Sequence, residues 1–467
     1  MDIMGPIKVK LCLSLLLTMV LIPAFSKTLV AQEEVALSLD QTVRMALEHD
    51  YQVNSARNDL EKAKLVVKEK VIGALPQLQI GAEQGENLTT GSDLQNASLA
   101  VTETIPTSFQ LYGKKTASDL EVAKWGQQAS EADYRISRAN LVYNTITLYL
   151  NALKAKGMLD YHEAVVNNFE AKAKNAKIQL SLGKVTKVTQ LTAENDLAKA
   201  RYELENSRQA YLLNLKQIAQ TIGVKDYRSL RLEQNIPQTL IEEVDLEQML
   251  AKALDKRLEI SKSQVAVKEA EQELAKAFNE GLPTLSLAYQ NRSQEESYNL
   301  EYDFLKGDLS WTAAWQQDYL DDITYSGNDD VFGNYKSQYK LRLSWALSMG
   351  GAKNRIKQAG YTLENAKLAQ SQTARGIIAE VEEAASAYEL AGLKRIQVER
   401  GLALYQKDLE LTQLKFQLGT ATALEVTDAE LKMADAQLEI DNAQCDLRLA
   451  AEKVRLAMGE LYDYPIF

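Results

Sequence analysis

Leu418-Gly419-Thr420-Ala421-Thr422-Ala423-Leu424-Glu425-Val426-Thr427-Asp428-Ala429 opens the stretch, Leu418 to Gly459, whose reading decides the fold. Val426, Met433, Ile440, Leu447, Val454 and Leu461 recur every seven residues, and Ala429, Ala436, Ala443, Ala450 and Ala457 recur every seven residues three places later. A seam of one large and one small position sustained this long specifies a helix packed on another helix with a left-handed supercoil. The alanines let two backbones approach closely. Gly419 after an apolar-periodic stretch is a helix stop, and Thr422 with Glu425 three residues on is a capping-box start. The stretch therefore reads as the returning arm of a long helical hairpin whose tip is near 419.

The same device stands earlier in the chain. Leu182-Gly183-Lys184-Val185-Thr186 matches Leu418-Gly419-Thr420-Ala421-Thr422 at an offset of 236, which continues through Ala193/Ala429, Asn206/Asn442 and Gly223/Gly459. A second register, offset 207, joins Leu39–Ile80 to Leu246–Leu287 without a gap and aligns Leu75-Pro76 with Leu282-Pro283. Internal repetition outranks local patterns. The chain reads as a tandem duplication with repeats at 27–230 and 231–467, the second carrying an insertion before its long helix.

Residues 1–26 place Lys8 and Lys10 ahead of the apolar run Leu11–Ile22, followed by Pro23, Ala24 and Ser26. This is the pattern of a secretory signal peptide; an uncleaved anchor is the alternative, with a run short for spanning a bilayer. Loss of Cys12 with that leader leaves Cys445 alone, so no intramolecular disulfide is available. Loss of Asp2, Lys8 and Lys10 moves the net charge from −11 to −12, an acidic balance that argues against nucleic acid as a partner. His49 and His162 stand in no metal-ligand spacing, and no Gly-rich phosphate loop or nucleophile triad is visible. No catalytic residue, metal or cofactor is expected.

Leu37 to Ala74 reads as one amphipathic helix, with Ser38 or Asp40 as its cap and Pro76 as its end. Strands are expected at about 77–89 and 96–106, and again at about 284–298 and 335–348. In the last, Tyr339, Leu341, Leu343, Trp345 and Leu347 alternate with Lys340, Arg342, Ser344 and Ala346. A barrel wall between lipid and water has that pattern, and so has a soluble two-faced sheet. The insertion at 296–334, rich in Tyr302, Phe304, Trp311, Trp315, Tyr319, Tyr325 and Phe332, is read as a variable loop; a hairpin extension and a plug are its alternatives.

Gly113 to Leu182 lacks proline and can run as one helix of roughly 105 Å, while Thr186 to Ile222 gives about 55 Å. The helical hairpins are placed at about 113–222, with its tip near 183, and about 351–460. Val142, Ile146, Tyr149 and Leu153 form the coiled face of the first descending helix, and Tyr211, Leu215, Ile218 and Ile222 that of the ascending one. Between ascending helix and next strand lies an irregular belt near mid-length, with Pro237 in it and a helix resuming from about Asp245. The fold class is mainly α: duplicated long antiparallel helices with four strands at one end. Four strands cannot close a barrel, and open edges are not tolerated in lipid, so a membrane role requires several protomers.

The leader, the duplicated helix-Leu-Pro-strand unit and the tips Leu-Gly-Lys-Val-Thr-Lys-Val-Thr and Leu-Gly-Thr-Ala-Thr-Ala-Leu-Glu-Val-Thr-Asp-Ala resemble the TolC family of outer-membrane channel-tunnels over essentially the whole mature chain. The resemblance implies a homotrimer with a twelve-stranded barrel in outer-membrane lipid, a twelve-helix periplasmic tunnel and an equatorial belt. It implies a passive duct docked through its tips to a periplasmic adaptor and an inner-membrane pump, in efflux or type I secretion. By the same resemblance, Glu425 and Asp428 fall where acidic residues ring the closed aperture. Their other roles are a helix cap and a favourable charge at a helix N-terminus. Ala421 departs from relatives that hold the tip shut with an arginine, so a latch would be absent or rebuilt, with Lys184 and Lys187 as candidates. Leu182, Gly183, Leu418, Gly419 and Thr420, with those lysines, are the candidate adaptor contacts. The rival readings are a periplasmic coiled-coil scaffold and an adaptor without a pore.

Overall fold

The computed structural model describes residues 35–87, 92–107, 109–234, 245–292, 296–318, 337–345 and 351–464. The expected leader, Pro237, Tyr319, Tyr325, Phe332, Leu347 and Thr89–Gly91 lie outside the described residues.

In chain order the elements are β1 (Val35–Leu37), α1 (Leu39–His49), α2 (Tyr51–Gly73), β2 (Gln77–Asn87), β3 (Ser92–Pro106), α3 (Asp119–Ser181), α4 (Lys187–Thr221) and β4 (Leu230–Leu232). There follow α5 (Leu246–Lys256), α6 (Leu258–Asn279), β5 (Thr284–Arg292), β6 (Glu296–Asp303), β7 (Asp308–Asp318), β8 (Ser337–Ser344), α7 (Gly351–Gln417) and α8 (Ala423–Ala457). α1, α2 and β2 begin 207 residues before α5, α6 and β5, and α4 spans 236 residues before α8. At the usual rise, α3 is roughly 95 Å long and α7 roughly 100 Å.

Near the strands the helices lie side by side in the order α2, α3, α6, α7; toward the tips the order is α4, α3, α8, α7. Helix α8 is held between α3 and α7, and all five seam alanines, Ala429 to Ala457, are buried along it. Its antiparallel register on α3 is fixed by charge: Lys154 pairs with Asp446, Lys172 with Asp428 at 2.6 Å and Arg135 with Asp463 at 2.6 Å. A side chain at Gly157 would stand 3.0 Å from Leu438, so the glycine admits α8 rather than breaking α3.

At mid-length, β1 and β4 pair in parallel, and the Tyr149 hydroxyl donates to the carbonyl oxygens of Leu37, at 2.9 Å, and Glu233, at 2.8 Å. In the second half a buried Arg257 grips the carboxylate of Glu259 at 2.9 and 3.1 Å, reaches Glu380 at 2.9 Å and donates to the Ala457 carbonyl; Tyr462 donates to Glu259 at 2.7 Å. That cluster joins the α5–α6 corner to α7 and to the end of α8.

Several expectations need correction. Leu37–Ala74 is two helices, because Asp50 leaves helical geometry and caps α2 through the Val53 amide; Arg257 makes the same corner between α5 and α6. The first descending helix starts at Asp119, since Gly113 has φ +91° and Ser118 with Glu121 forms a capping box. Val142, Ile146 and Tyr149 face α1 and Cys445 of α8, whereas Tyr211, Leu215, Ile218 and Ile222 of α4 meet Leu141, Ala152 and Leu159 of α3. The expected strand 284–298 stops at Arg292, and Glu296–Tyr298 belongs to β6.

The four-strand count is the main correction: the described sheet has six strands, ordered β2-β3-β7-β6-β5-β8, with every neighbouring pair antiparallel. The segment read as a variable loop supplies β6 and β7. A period of two runs through both: Tyr298, Leu300 and Tyr302 alternate with Ser297, Asn299 and Glu301, and Leu309, Trp311 and Trp315 with Ser310, Thr312 and Ala314. One row across all six strands is polar, Gln77, Thr102, Thr312, Asn299, Gln290 and Gln338, while the row Ile105, Leu309, Tyr302, Leu287 and Leu341 on the other face is apolar.

Two outcomes are expected. Burial chiefly opposes the charge on Glu259, but Arg257 and Tyr462 overcome it and hold the carboxyl below its ordinary range. Its contribution to stability is complete above the unfolded value of about 4.3 and disappears as pH falls through the lower folded value. Acid unfolding followed by circular dichroism should therefore show a shallower dependence below pH ~4.3 in Glu259→Gln than in the parent. Burial pushes the Cys445 thiol up to about 11, so maleimide at neutral pH should label the folded protein far more slowly than the urea-unfolded chain.

Candidate functional site at the hairpin tips

The two tips are built alike. At the first, Gly183 takes φ +67°, and its amide and that of Lys184 donate to the carbonyls of Leu180 and Gln179, each at 2.9 Å. At the second, Gly419 takes φ +73°, and its amide and that of Thr420 donate to the carbonyls of Phe416 and Lys415, each at 2.9 Å. The Thr420 hydroxyl adds a 3.0 Å bond to the same Lys415 oxygen. Among the described residues nothing lies within 4 Å of a Cβ added at either glycine. Glycine is required there by backbone geometry and not by crowding.

Apolar side chains project from both ends. Leu182 is 64% exposed and Leu418 70%, with Ile178, Val188, Leu191, Leu414 and Phe416 also exposed nearby. Each of the two turns thus carries an exposed leucine with further apolar side chains beside it.

The acidic candidates have different surroundings. Glu425 accepts the Thr422 amide at 2.7 Å while its own amide donates to the Thr422 hydroxyl at 3.3 Å, which completes the capping box. Asp428, one turn on, accepts Lys172 Nζ at 2.6 Å and Asn168 Nδ2 at 3.4 Å from α3. Lys172 also lies 5.0 Å from the centre of the Phe169 ring. The pair thus crosses from one hairpin to the other. Of the tip lysines, Lys187 donates to Gln190 at 2.7 Å, and Gln190 in turn to Glu194 at 2.7 Å; Asp428 is met by Lys172, three turns above the tip.

Lys172 and Asn168 were not singled out in the sequence. A signal for the first existed: Lys154 and Lys172 are eighteen residues apart, as are Asp428 and Asp446, and eighteen residues are five helical turns. Two opposite charges at equal whole-turn spacing on antiparallel helices can meet twice.

The family model "Outer membrane efflux protein" matches residues 42–224 and 249–460. The chain belongs to the outer membrane efflux protein family. It is 24% identical over 413 residues to the outer membrane protein TolC of Escherichia coli K12, covering 84% of this chain and 76% of that one. The outer membrane channel CmeC of Campylobacter jejuni superposes with a TM-score of 0.65 at 16% identity, over 90% of this chain and 85% of CmeC. The outer membrane protein VceC of Vibrio cholerae gives 0.63 at 15% identity, over 90% of this chain and 96% of VceC. Membership of the outer membrane efflux protein family makes the chain an exit duct of efflux systems, and a transport protein by family.

Removing the cap and removing the inter-hairpin pair should separate. Thr422→Ala is expected to destabilise by about 1 kcal/mol and to speed amide exchange at the start of α8. Asp428→Asn with Lys172→Met, in a double-mutant cycle on urea unfolding, should give a coupling of about 0.2–1 kcal/mol, because both side chains keep contact with water.

Proposed function

We propose that this chain is an outer-membrane exit duct assembled as a homotrimer, conducting substrates passively from an inner-membrane pump and a periplasmic adaptor to the exterior. A leader at 1–26 and two structural repeats, 27–230 and 231–467, make up the chain. The long helices extend into the periplasm and the sheet lies in the outer membrane.

The observation that carries this reading is the sheet at the far end of the rods. Its apolar face is open: Tyr339 is 78% exposed, Leu341 71%, and Leu78, Ile80, Leu287 and Leu300 are exposed with them. Among the described residues its outer strands, β2 and β8, each have a neighbour on one side only. An unsatisfied edge is costly in hydrocarbon, so a sheet with an apolar face and two free edges is completed by joining β2 of one copy to β8 of the next. The opposite face carries Gln, Asn, Thr, Lys340 and Arg342, which suits a water-filled bore.

At the other end, Glu425 and Asp428 of each copy ring the narrow periplasmic mouth. A ring of carboxylates attracts cations and resists crowding of like charge. Lys172 draws Asp428 toward α3, so opening the mouth exchanges a pairing between hairpins for hydration. The exposed turn residues, Leu182, Leu418 and neighbours, with Gly183, Lys184, Lys187, Gly419 and Thr420, are the surface the adaptor grips.

Purified protein in planar bilayers should form cation-preferring channels. Glu425→Ala/Asp428→Ala should raise the divalent concentration needed for half block several-fold. Channels with unchanged block would return both carboxylates to helix capping and pairing, and a folded trimer that makes no channel would overturn the duct.

A further inference from the structure

We infer that the inserted hairpin β6–β7 is wall, so that the assembled barrel has eighteen strands and not the twelve implied by the family resemblance. The inference rests on the trimeric duct proposed above.

Three independent features place the hairpin in the wall. The first is hydrogen bonding: β7 lies beside β3 from Asn96↔Asp318 to Pro106↔Asp308, and β6 lies beside β5 from Ser286↔Asp303 to Arg292↔Ser297. It separates β3 and β5 completely. The second is the alternation of side chains. Leu309 and Tyr302 continue the apolar row between Ile105 and Leu287, while Thr312 and Asn299 continue the polar row between Thr102 and Gln290. A surface loop folded over a finished wall has no reason to keep both faces in phase, since a shift of one residue would invert every side chain.

The third is the lock at the base of the hairpin. Its turn, Phe304 to Gly307, lies against the segment that links β3 to α3. The Thr107 amide and hydroxyl both donate to the Gly307 carbonyl, at 2.8 and 2.7 Å, the Leu111 amide donates to Phe304 at 3.1 Å, and the Gln110 amide group donates to Leu305 at 2.8 Å. Tyr302 bonds Thr107 at 2.8 Å through its hydroxyl and also donates to the Phe109 carbonyl. Gly307 has φ +75°, and a Cβ there would stand 2.7 Å from the Phe109 oxygen. Leu305 is buried beneath this turn. The hairpin is thus anchored at the junction of sheet and helices.

Width gives the physical reason. Strands about 4.8 Å apart and tilted by about 40° each occupy roughly 6.3 Å of circumference, so six cover about 38 Å and four about 25 Å. Beneath the sheet four helices, α2, α3, α6 and α7, lie side by side, and at about 9.5 Å each they also span about 38 Å. A six-stranded sector therefore matches the width of the helices it stands on. Three such sectors give eighteen strands, and because barrel diameter grows roughly linearly with strand number the bore is about one and a half times that of a twelve-stranded wall. The exit of this duct suits bulkier cargo.

The test uses the full chain with Cys445→Ala, in outer-membrane vesicles, counting only the heat-modifiable trimer. Leu99→Cys with Trp315→Cys, and Tyr289→Cys with Leu300→Cys, should each form an intramolecular disulfide under mild oxidation in most chains. Ile105→Cys with Leu287→Cys should form none, because three strand spacings, roughly 14 Å, separate them. Trimers in which the hairpin pairs stay reduced while the Ile105/Leu287 pair couples would establish a twelve-stranded wall and overturn the inference. Absence of any membrane trimer would instead remove the duct on which it rests. A cryo-electron map of the unmodified trimer, counting eighteen or twelve strands, decides the same question without substitution.

Discussion

Close packing of α8 on α7 along the alanine seam is the contact on which the rest of the structure depends. Ala429, Ala436, Ala443, Ala450 and Ala457 are buried, and Ile440, Leu447 and Val454 pack with the last three among Ile377, Val381, Ala384 and Val398 of α7. Small residues remove the side-chain bulk that normally keeps helix axes apart, so α8 lies close on α7, while Leu438 and Cys445 meet α3. Larger residues there would part α8 from α7 within the second hairpin. The charged pairs Lys154–Asp446 and Lys172–Asp428 then choose the register in which the two hairpins lie.

A rod this long is stiff only if it is clamped somewhere between its ends. The buried clusters concentrate at mid-length, where Tyr149 holds the parallel β1–β4 pair and Arg257 holds α7 and the end of α8. Toward the tips, burial along α4 and α7 thins and apolar side chains such as Leu404, Leu411 and Leu414 lie open. Local stability is therefore greatest at the belt and least at the tips.

The two repeats use the same plan for unequal purposes. α4 and α8 have the same length and the same positive-φ glycine at each end, yet α8 is far more deeply buried than α4. The first repeat passes from β2 directly to β3, whereas the second adds β6 and β7 between β5 and β8. Elements at fixed offsets form the scaffold, and β6 and β7 add two strands between β3 and β5.

Local rules sufficed for much of this. The heptads of α8, both glycine turns, the capping box at Thr422 and the strand alternation at Tyr339–Leu343 are properties of neighbouring residues, and they are written in the sequence because backbone dihedral angles and side-chain periods are local. The duplication was legible for the same reason. The site was half legible: Glu425 bonds a residue three places away, but the partner of Asp428, Lys172, lies 256 residues distant, and the spacing that could have suggested it has meaning only once α3 and α8 are known to be antiparallel neighbours. The corners at Asp50 and Arg257 carry neither proline nor glycine; burial of the Arg257 guanidinium among Glu259, Glu380 and the Ala457 carbonyl makes that corner favourable. The sequence by itself determined the helices, the turns and their repetition. Only the tertiary structure decided which helix faces meet and where residues 296–318 stand in the sheet: their alternation is local, but the place of β7 beside β3 rests on hydrogen bonds to residues about two hundred positions away.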